Sequence, residues 1–187
     1  MDFRTKIDIP KQNFEIDYNS KILLLGSCFT TQIGEILKDY KFNTFVNPFG
    51  VLYNPYSIRN SIEFLTTDKE FTNKDIIQTN PTDKASPQKY ASFFHHSSFA
   101  RLSKEEFLKN ANMYLVKASE FLKEADTVII TLGTSWIYKL KENGMVVSNC
   151  HKRLSSEFTR ERMTTSQVKQ ALENIVDKEE QQYAKDL

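Results

Sequence analysis

The chain has 187 residues, 40% of them hydrophobic and 12% aromatic, which excludes a disordered or fibrous protein. Its 25 Lys and Arg stand against 24 Asp and Glu, so no net field recruits nucleic acid or an anionic membrane surface, and small or neutral ligands are expected. No stretch reaches the roughly 18 uninterrupted apolar residues of a membrane span and residues 1–10 hold no apolar leader core, which makes cytoplasmic residence the default expectation.

The first element is the run Lys21-Ile22-Leu23-Leu24-Leu25, continuous in apolar residues and ending at Gly26, the pattern of a central strand covered on both faces in a parallel sheet. Phe29, Ile33, Ile36, Leu37 and Tyr40 then recur at helical spacing, predicting an amphipathic helix that starts near Cys28 and buries that stripe. A second strand is expected over 42–46. Asn54-Pro55 gives an N-cap residue with proline at the first helical position, and Ile58, Ile62 and Leu65 mark the inward face of that helix.

From residue 66 to 101 the periodicity fails. Asn73, Asn80-Pro81, Asp83 and Ser86-Pro87 are turn signals, so 67–102 is expected to be an insertion or long loop, ending near Phe93-Phe94-His95-His96. Order resumes at Ser103, spaced from Glu106 as a capping box ahead of Phe107, Ala111, Tyr114, Leu115, Ala118, Phe121 and Leu122. A third strand over 126–132 runs into Gly133. Segments 136–140 and 145–148 flank Asn143-Gly144 as a hairpin, and a last helix starts at Thr164 or Thr165 with Val168, Ala171, Leu172, Ile175 and Val176 inward.

Alternating strands and helices predict one α/β domain over 1–187, a three-layer α/β/α doubly wound parallel sheet. Three core strands are few for that architecture, so the chain is expected to be a fragment, incomplete at its carboxyl end, or to have its sheet completed by another chain.

In open α/β sheets ligands bind beyond the carboxyl ends of the strands, where turns deliver side chains and helix N-termini present N–H groups. Ser27 and Cys28 stand at such a place. Helix N-terminal donors stabilise a thiolate and can hold an oxyanion, which suits a nucleophile there; the plainer reading makes Cys28 a small buried residue and Ser27 a helix cap. Both Cys28 and Cys150 are expected to be free thiols, since two widely separated cysteines make no disulfide framework.

Ile22-Leu23-Leu24-Leu25-Gly26-Ser27-Cys28-Phe29-Thr30 resembles the signature of the GSCFA family, and the same stretch is similar to the block that opens the SGNH (GDSL) hydrolases. The segments 47–55, 93–101 and 149–152 are also similar to GSCFA sequence. The resemblance implies an SGNH or flavodoxin-like sheet and an acyl-ester hydrolase or acyltransferase acting on an O-acyl substrate, on a carbohydrate by one reading, with no cofactor. An ungapped overlay puts Ser27 on the superfamily's aspartate and Cys28 on its nucleophilic serine, with Ser27 as the second choice of nucleophile. It implies oxyanion donors at Gly50 and at Gly133, with Ser135 where the superfamily has asparagine; a serine hydroxyl is a shorter and less fixed donor than an amide. The superfamily's Asp-x-x-His has no match before Leu187.

His95, His96 and His151 are the only histidines, so an imidazole base within the chain would be one of them, and His151, next to the hairpin, is the better placed. Asn47, Asn149, Trp136, His95 and His96 are candidate substrate-binding residues, Trp136 because aromatic faces pack on pyranose rings. Adjacent Cys150-His151 and His95-His96 lack metal-ligand spacing, and phosphate-loop glycine patterns are absent, so neither a metal nor a nucleotide is expected. Two other readings stay open: a non-catalytic carbohydrate- or small-ligand-binding module, and a thiol redox or acyl-carrier site at Cys28.

Overall fold

A computed structural model of the chain describes residues 7, 10, 11, 13–80 and 87–185, with side chains described as far as 178. The apolar run forms β1 (Lys21–Gly26), buried from Ile22 onward. It lies between β2 (Asn43–Val46) and β5 (Thr127–Thr131), parallel to both, because its side chains are apolar on both faces. The register sets Leu24 beside Val46 and Ile129, and Gly26 beside Thr131. The β1 turn therefore meets the end of β5 at one level.

The helix after β1, α1 (Cys28–Asp39), differs from the expected one in the face it buries. Thr30 and Gly34 are its buried residues, whereas Phe29, Ile36 and Tyr40 are 60%, 51% and 66% exposed. Gly34 explains the rotation: a Cβ there would lie 2.5 Å from a Val46 methyl, so only a residue without a side chain lets α1 approach β2 this closely. Packing of small residues against the sheet overrides the apolar stripe.

The other helices bury the expected stripes almost completely. Asn54 Oδ1 accepts the Ser57 N–H at 2.9 Å to cap α2 (Pro55–Leu65), whose Ile58, Ile62 and Leu65 are buried. Ser103 Oγ accepts the Glu106 N–H at 3.0 Å to open α3 (Lys104–Lys123), which turns Phe107, Ala111, Leu115, Ala118 and Leu122 inward and leaves Tyr114 at the surface. Thr164 and Gln167 exchange hydrogen bonds of 2.9 and 3.2 Å ahead of α4 (Thr165–Lys185). There Ala171 and Ile175 are buried but Val176 is exposed. Leu23 and Leu25 join Ile58, Ile62, Phe107, Leu115, Leu122 and Ile175 in the main core, while α1 packs on β1 and β2. The result is a mixed α/β fold in which helices flank a parallel sheet of three strands.

The segment expected as a loop is tied into that core. Its β3 (Ile77–Gln78) and β4 (Tyr90–Ala91) pair antiparallel, and Phe71 and Phe99 are buried with the helices. The turn signals at Pro81, Asp83 and Ser86 fall outside the described residues. Beyond β5 the predicted hairpin is present as β6 (Trp136–Leu140) and β7 (Val146–Val147), and β8 (Phe158–Arg162) pairs with the other edge of β6. β8 escapes sequence reading because only Phe158 in it is buried, so it carries no apolar alternation. Among the described residues, no helix is long and apolar enough to cross a membrane.

Candidate functional site

The turn after β1 is built on a glycine that nothing else can replace. Gly26 has φ of 141°, and a Cβ at that position would sit 2.1 Å from the Thr131 carbonyl oxygen. Its N–H donates to Asn47 Oδ1 at 2.8 Å and its carbonyl accepts the Leu52 N–H at 2.8 Å. The ends of β1 and β2 are thus stitched together.

Ser27 occupies the cap position of α1 but does not cap it. Its hydroxyl turns to Thr131 Oγ1, 3.0 Å away, and its N–H donates to the same oxygen at 3.1 Å. Thr30, fully buried, adds a third hydroxyl against Thr131. Two consequences follow. Ser27 is 8% exposed with its hydroxyl engaged, and the first N–H groups of α1 receive no acceptor from it. Cys28, the first helical residue, is exposed and a free thiol, so the expectation of a small buried cysteine behind a capping serine is corrected on both counts.

The neighbouring strand ends close around this turn. Gly133 packs against Tyr53 and Ser27, a Cβ there falling 2.7 Å from Tyr53 Cδ1 and 3.4 Å from Ser27 Cβ, and its N–H donates to the Tyr53 carbonyl at 2.8 Å. Gly50 sits at φ of 77° with its N–H donating to the Asn47 carbonyl at 2.7 Å. Both glycines expected as oxyanion donors therefore have their N–H groups engaged within the fold. Ser135 is half-buried and its carbonyl accepts the Met163 N–H at 2.8 Å; no hydrogen bond among the described residues brings it to Ser27 or Cys28.

Asn47, a candidate for substrate contact, braces the strand ends. At φ of 47° it is buried, receives the Gly26 N–H, donates from Nδ2 to Thr31 Oγ1 at 2.9 Å and from its N–H to the Leu24 carbonyl at 2.8 Å. A cleft of about 590 Å³ runs beside it along β2, lined by Thr31, Val46, Asn47, Gly50, His96 and Tyr114 among others, but neither Ser27 nor Cys28 lines that cleft. The exposed cysteine, not the cleft, is the chemically distinctive feature of this end of the sheet.

Two of the three histidines, His95 and His151, meet at Ser92, whereas His96 turns to Ser98. His95 Nδ1 meets Ser92 Oγ at 2.8 Å, and its ring lies among Phe49, Phe71, Phe99 and Phe107; its buried Nε2 has no hydrogen-bond partner among the described residues. Burial, then the neighbouring His151, push its pKa from the ordinary 6.5 to about 3. His151, held at φ of 49°, donates from Nε2 to the Ser92 carbonyl at 2.8 Å, and burial lowers its pKa against the partial pull of the Ser92 and His95 backbone. His96 contacts Gly50, accepts the Ser98 N–H at 3.3 Å and is also lowered by burial. No hydrogen bond or ion pair among the described residues joins any histidine to Cys28.

Near this cluster, Asn149 Oδ1 accepts the His151 N–H at 2.8 Å, and burial, followed by Glu157, pushes the Cys150 thiol up. Trp136 is 40% exposed on β6 with the Arg160 guanidinium 4.0 Å from its ring centroid. Among the described residues, no group of three or more His, Cys, Asp or Glu could hold a metal ion. Sequence reasoning did not foresee Thr30, Thr131 and Tyr53. A threonine at a strand end carries no signal until the register places it beside Ser27.

A family model described as the GSCFA family matches residues 21–185. No curated protein and no solved structure matches the chain.

Proposed function

This chain belongs to the GSCFA family, and on that premise we propose that its β1 turn carries an acyl-ester hydrolase or acyltransferase site of SGNH type, with Cys28 as nucleophile. The observation that carries the reading is the division of labour in the turn: Ser27 is buried and bonded to Thr131, whereas Cys28 is exposed beside helix N–H groups that no side chain among the described residues caps. That favours Cys28 over Ser27.

In the proposed reaction the Cys28 thiolate attacks the acyl carbonyl carbon and the alcohol leaves, taking a proton from water. Water, or an acceptor alcohol, then breaks the thioester and regenerates the thiol. The developing oxyanion is assigned to the N–H groups of Cys28 and Phe29, because the N–H groups of Gly50 and Gly133 already have acceptors. His151 is not given the role of base, since it is buried and bonded to Ser92.

The lack of a histidine contact at Cys28 favours a second reading, a carbohydrate- or small-ligand-binding module on the same scaffold. The two are separated by turnover of p-nitrophenyl acetate by the chain beside Cys28→Ala and Ser27→Ala. The ester reading expects loss of turnover in Cys28→Ala and retention in Ser27→Ala; equal rates in all three proteins sink it.

A further inference from the structure

The second sheet presents a face whose chemistry the β1 turn does not use. Side chains alternate along β6, so Leu140, Tyr138 and Trp136 share one face, and the register sets Phe158, Arg160 and Arg162 opposite them on β8. At one end Leu140 and Phe158 are buried with Val147 and Phe93. At the other, Trp136 and Tyr138 are exposed between two arginines. Lys139 and Glu161 form their ion pair of 2.6 Å from the opposite face.

This face opens into a cleft of about 580 Å³ lined by Tyr138, Ser148, Asn149, Arg153, Ser155 and Arg160 among others. Arg153 is neutralised by Glu157, with a contact of 2.6 Å. Arg160 and Arg162 have no carboxylate partner among the described residues, and the Arg160 guanidinium lies over the Trp136 ring, 4.0 Å from its centroid. The hydroxyls of Ser148 and Ser155 and the Asn149 side-chain N–H groups have no hydrogen-bond partner there either. Charge at an edge strand also discourages edge-to-edge pairing, but that role needs neither a cleft nor free hydrogen-bonding groups behind it.

We infer that this face binds an acidic sugar, a pyranose ring bearing a carboxylate. The ring's apolar face packs on Tyr138, its hydroxyls meet Ser148, Asn149 and Ser155, and its carboxylate pairs with Arg160, which Trp136 holds in place from beneath and whose planar fork matches two oxygens. Trp136 follows Gly133 by three residues, a chain span of roughly 10 Å at most, so this face starts close to the β1 turn. The inference stands on this face alone; where the ester reading also holds, it supplies the sugar half of the substrate.

Trp136 is the only tryptophan in the chain, so its emission reports this face directly. The chain is titrated with trigalacturonate, with neutral maltotriose and with oligo(dT), and the affinities of variants are taken by calorimetry. The expected result is saturable binding of trigalacturonate, at least about tenfold tighter than maltotriose and weakened at least about tenfold by Arg160→Gln, with Arg160→Lys between them. Arg162→Gln, at an exposed position opposite Trp136, is expected to weaken binding in the same direction and guards against a misfolded Arg160 variant. Equal response to maltotriose, equal response to oligo(dT), or no saturation up to about 10 mM overturns the inference. Unesterified sugars are used, so the absence of ester turnover does not bear on the outcome.

Discussion

The β1 turn and the cluster around Ser92 hold similar reactive residue types in opposite conditions. At the turn, Cys28 is exposed and the serine beside it is the buried partner. Around Ser92, His95 and His151 are buried and Cys150 is pushed towards its neutral thiol form. Two of the three histidines that the sequence offers as bases, His95 and His151, are buried and hydrogen-bonded to Ser92. What separates a site from a core here is the wiring of hydroxyls and backbone groups.

The comparison breaks most sharply at Gly26. Gly26→Ala places a methyl 2.1 Å from the Thr131 carbonyl at a φ that side chains avoid, and is expected to cost about 4 kcal/mol in urea denaturation, enough to threaten folding. A loss below about 1 kcal/mol would show that the turn is not fixed by this contact.

The histidine cluster is tested by pH. His95 stays neutral in the fold down to about 3, whereas in the unfolded chain it takes up a proton near 6.5. The unfolded state therefore binds more protons in that window, and stability falls as pH drops below about 6.5, by about 2 kcal/mol at pH 5 from His95 alone. The lowered pKa values of His96 and His151 act in the same direction. Urea midpoints at pH 7.5 and pH 5 measure the sum, and His95→Phe is expected to flatten the slope. A midpoint that does not move between these pH values contradicts the assignment.

Much of this fold can be read from the sequence because its signals are local. The apolar run of β1, the Asn54-Pro55 start of α2, the Ser103 cap of α3 and the Asn143-Gly144 hairpin each sit within a few residues. The features that cannot be read depend on partners far along the chain. The face that α1 buries is set by the fit of Gly34 to Val46, β8 exists because β6 offers it an edge, and the engagement of Ser27 follows from a register that brings Thr131 across from β5. The turn Gly26-Ser27-Cys28-Phe29 stands out in the sequence, with Cys28 preferred to Ser27 as nucleophile, but the burial of Ser27 against Thr131 does not.

Thr131 sharpens that point. Thr131→Val keeps the shape of the side chain but leaves the Ser27 N–H without its acceptor and the Ser27 hydroxyl without its partner, an expected loss of about 1 to 2 kcal/mol. Thr131→Ser is expected to restore most of it. Equal stability of the valine and serine variants would contradict the hydroxyl's role.

The smallest effect on stability is expected at Cys28. Cys28→Ala should change the urea midpoint by no more than about 0.5 kcal/mol, because the side chain is exposed and makes no hydrogen bond among the described residues. A residue so dispensable to the fold is free to serve chemistry.

The most direct measurement is therefore to treat the chain with p-nitrophenyl acetate, quench it, and locate the transferred acetyl group by peptide mass spectrometry. The account predicts one acetyl group on Cys28, absent from Cys28→Ala and retained in Ser27→Ala. An acetyl group on Ser27, or none on the turn at all, would contradict it.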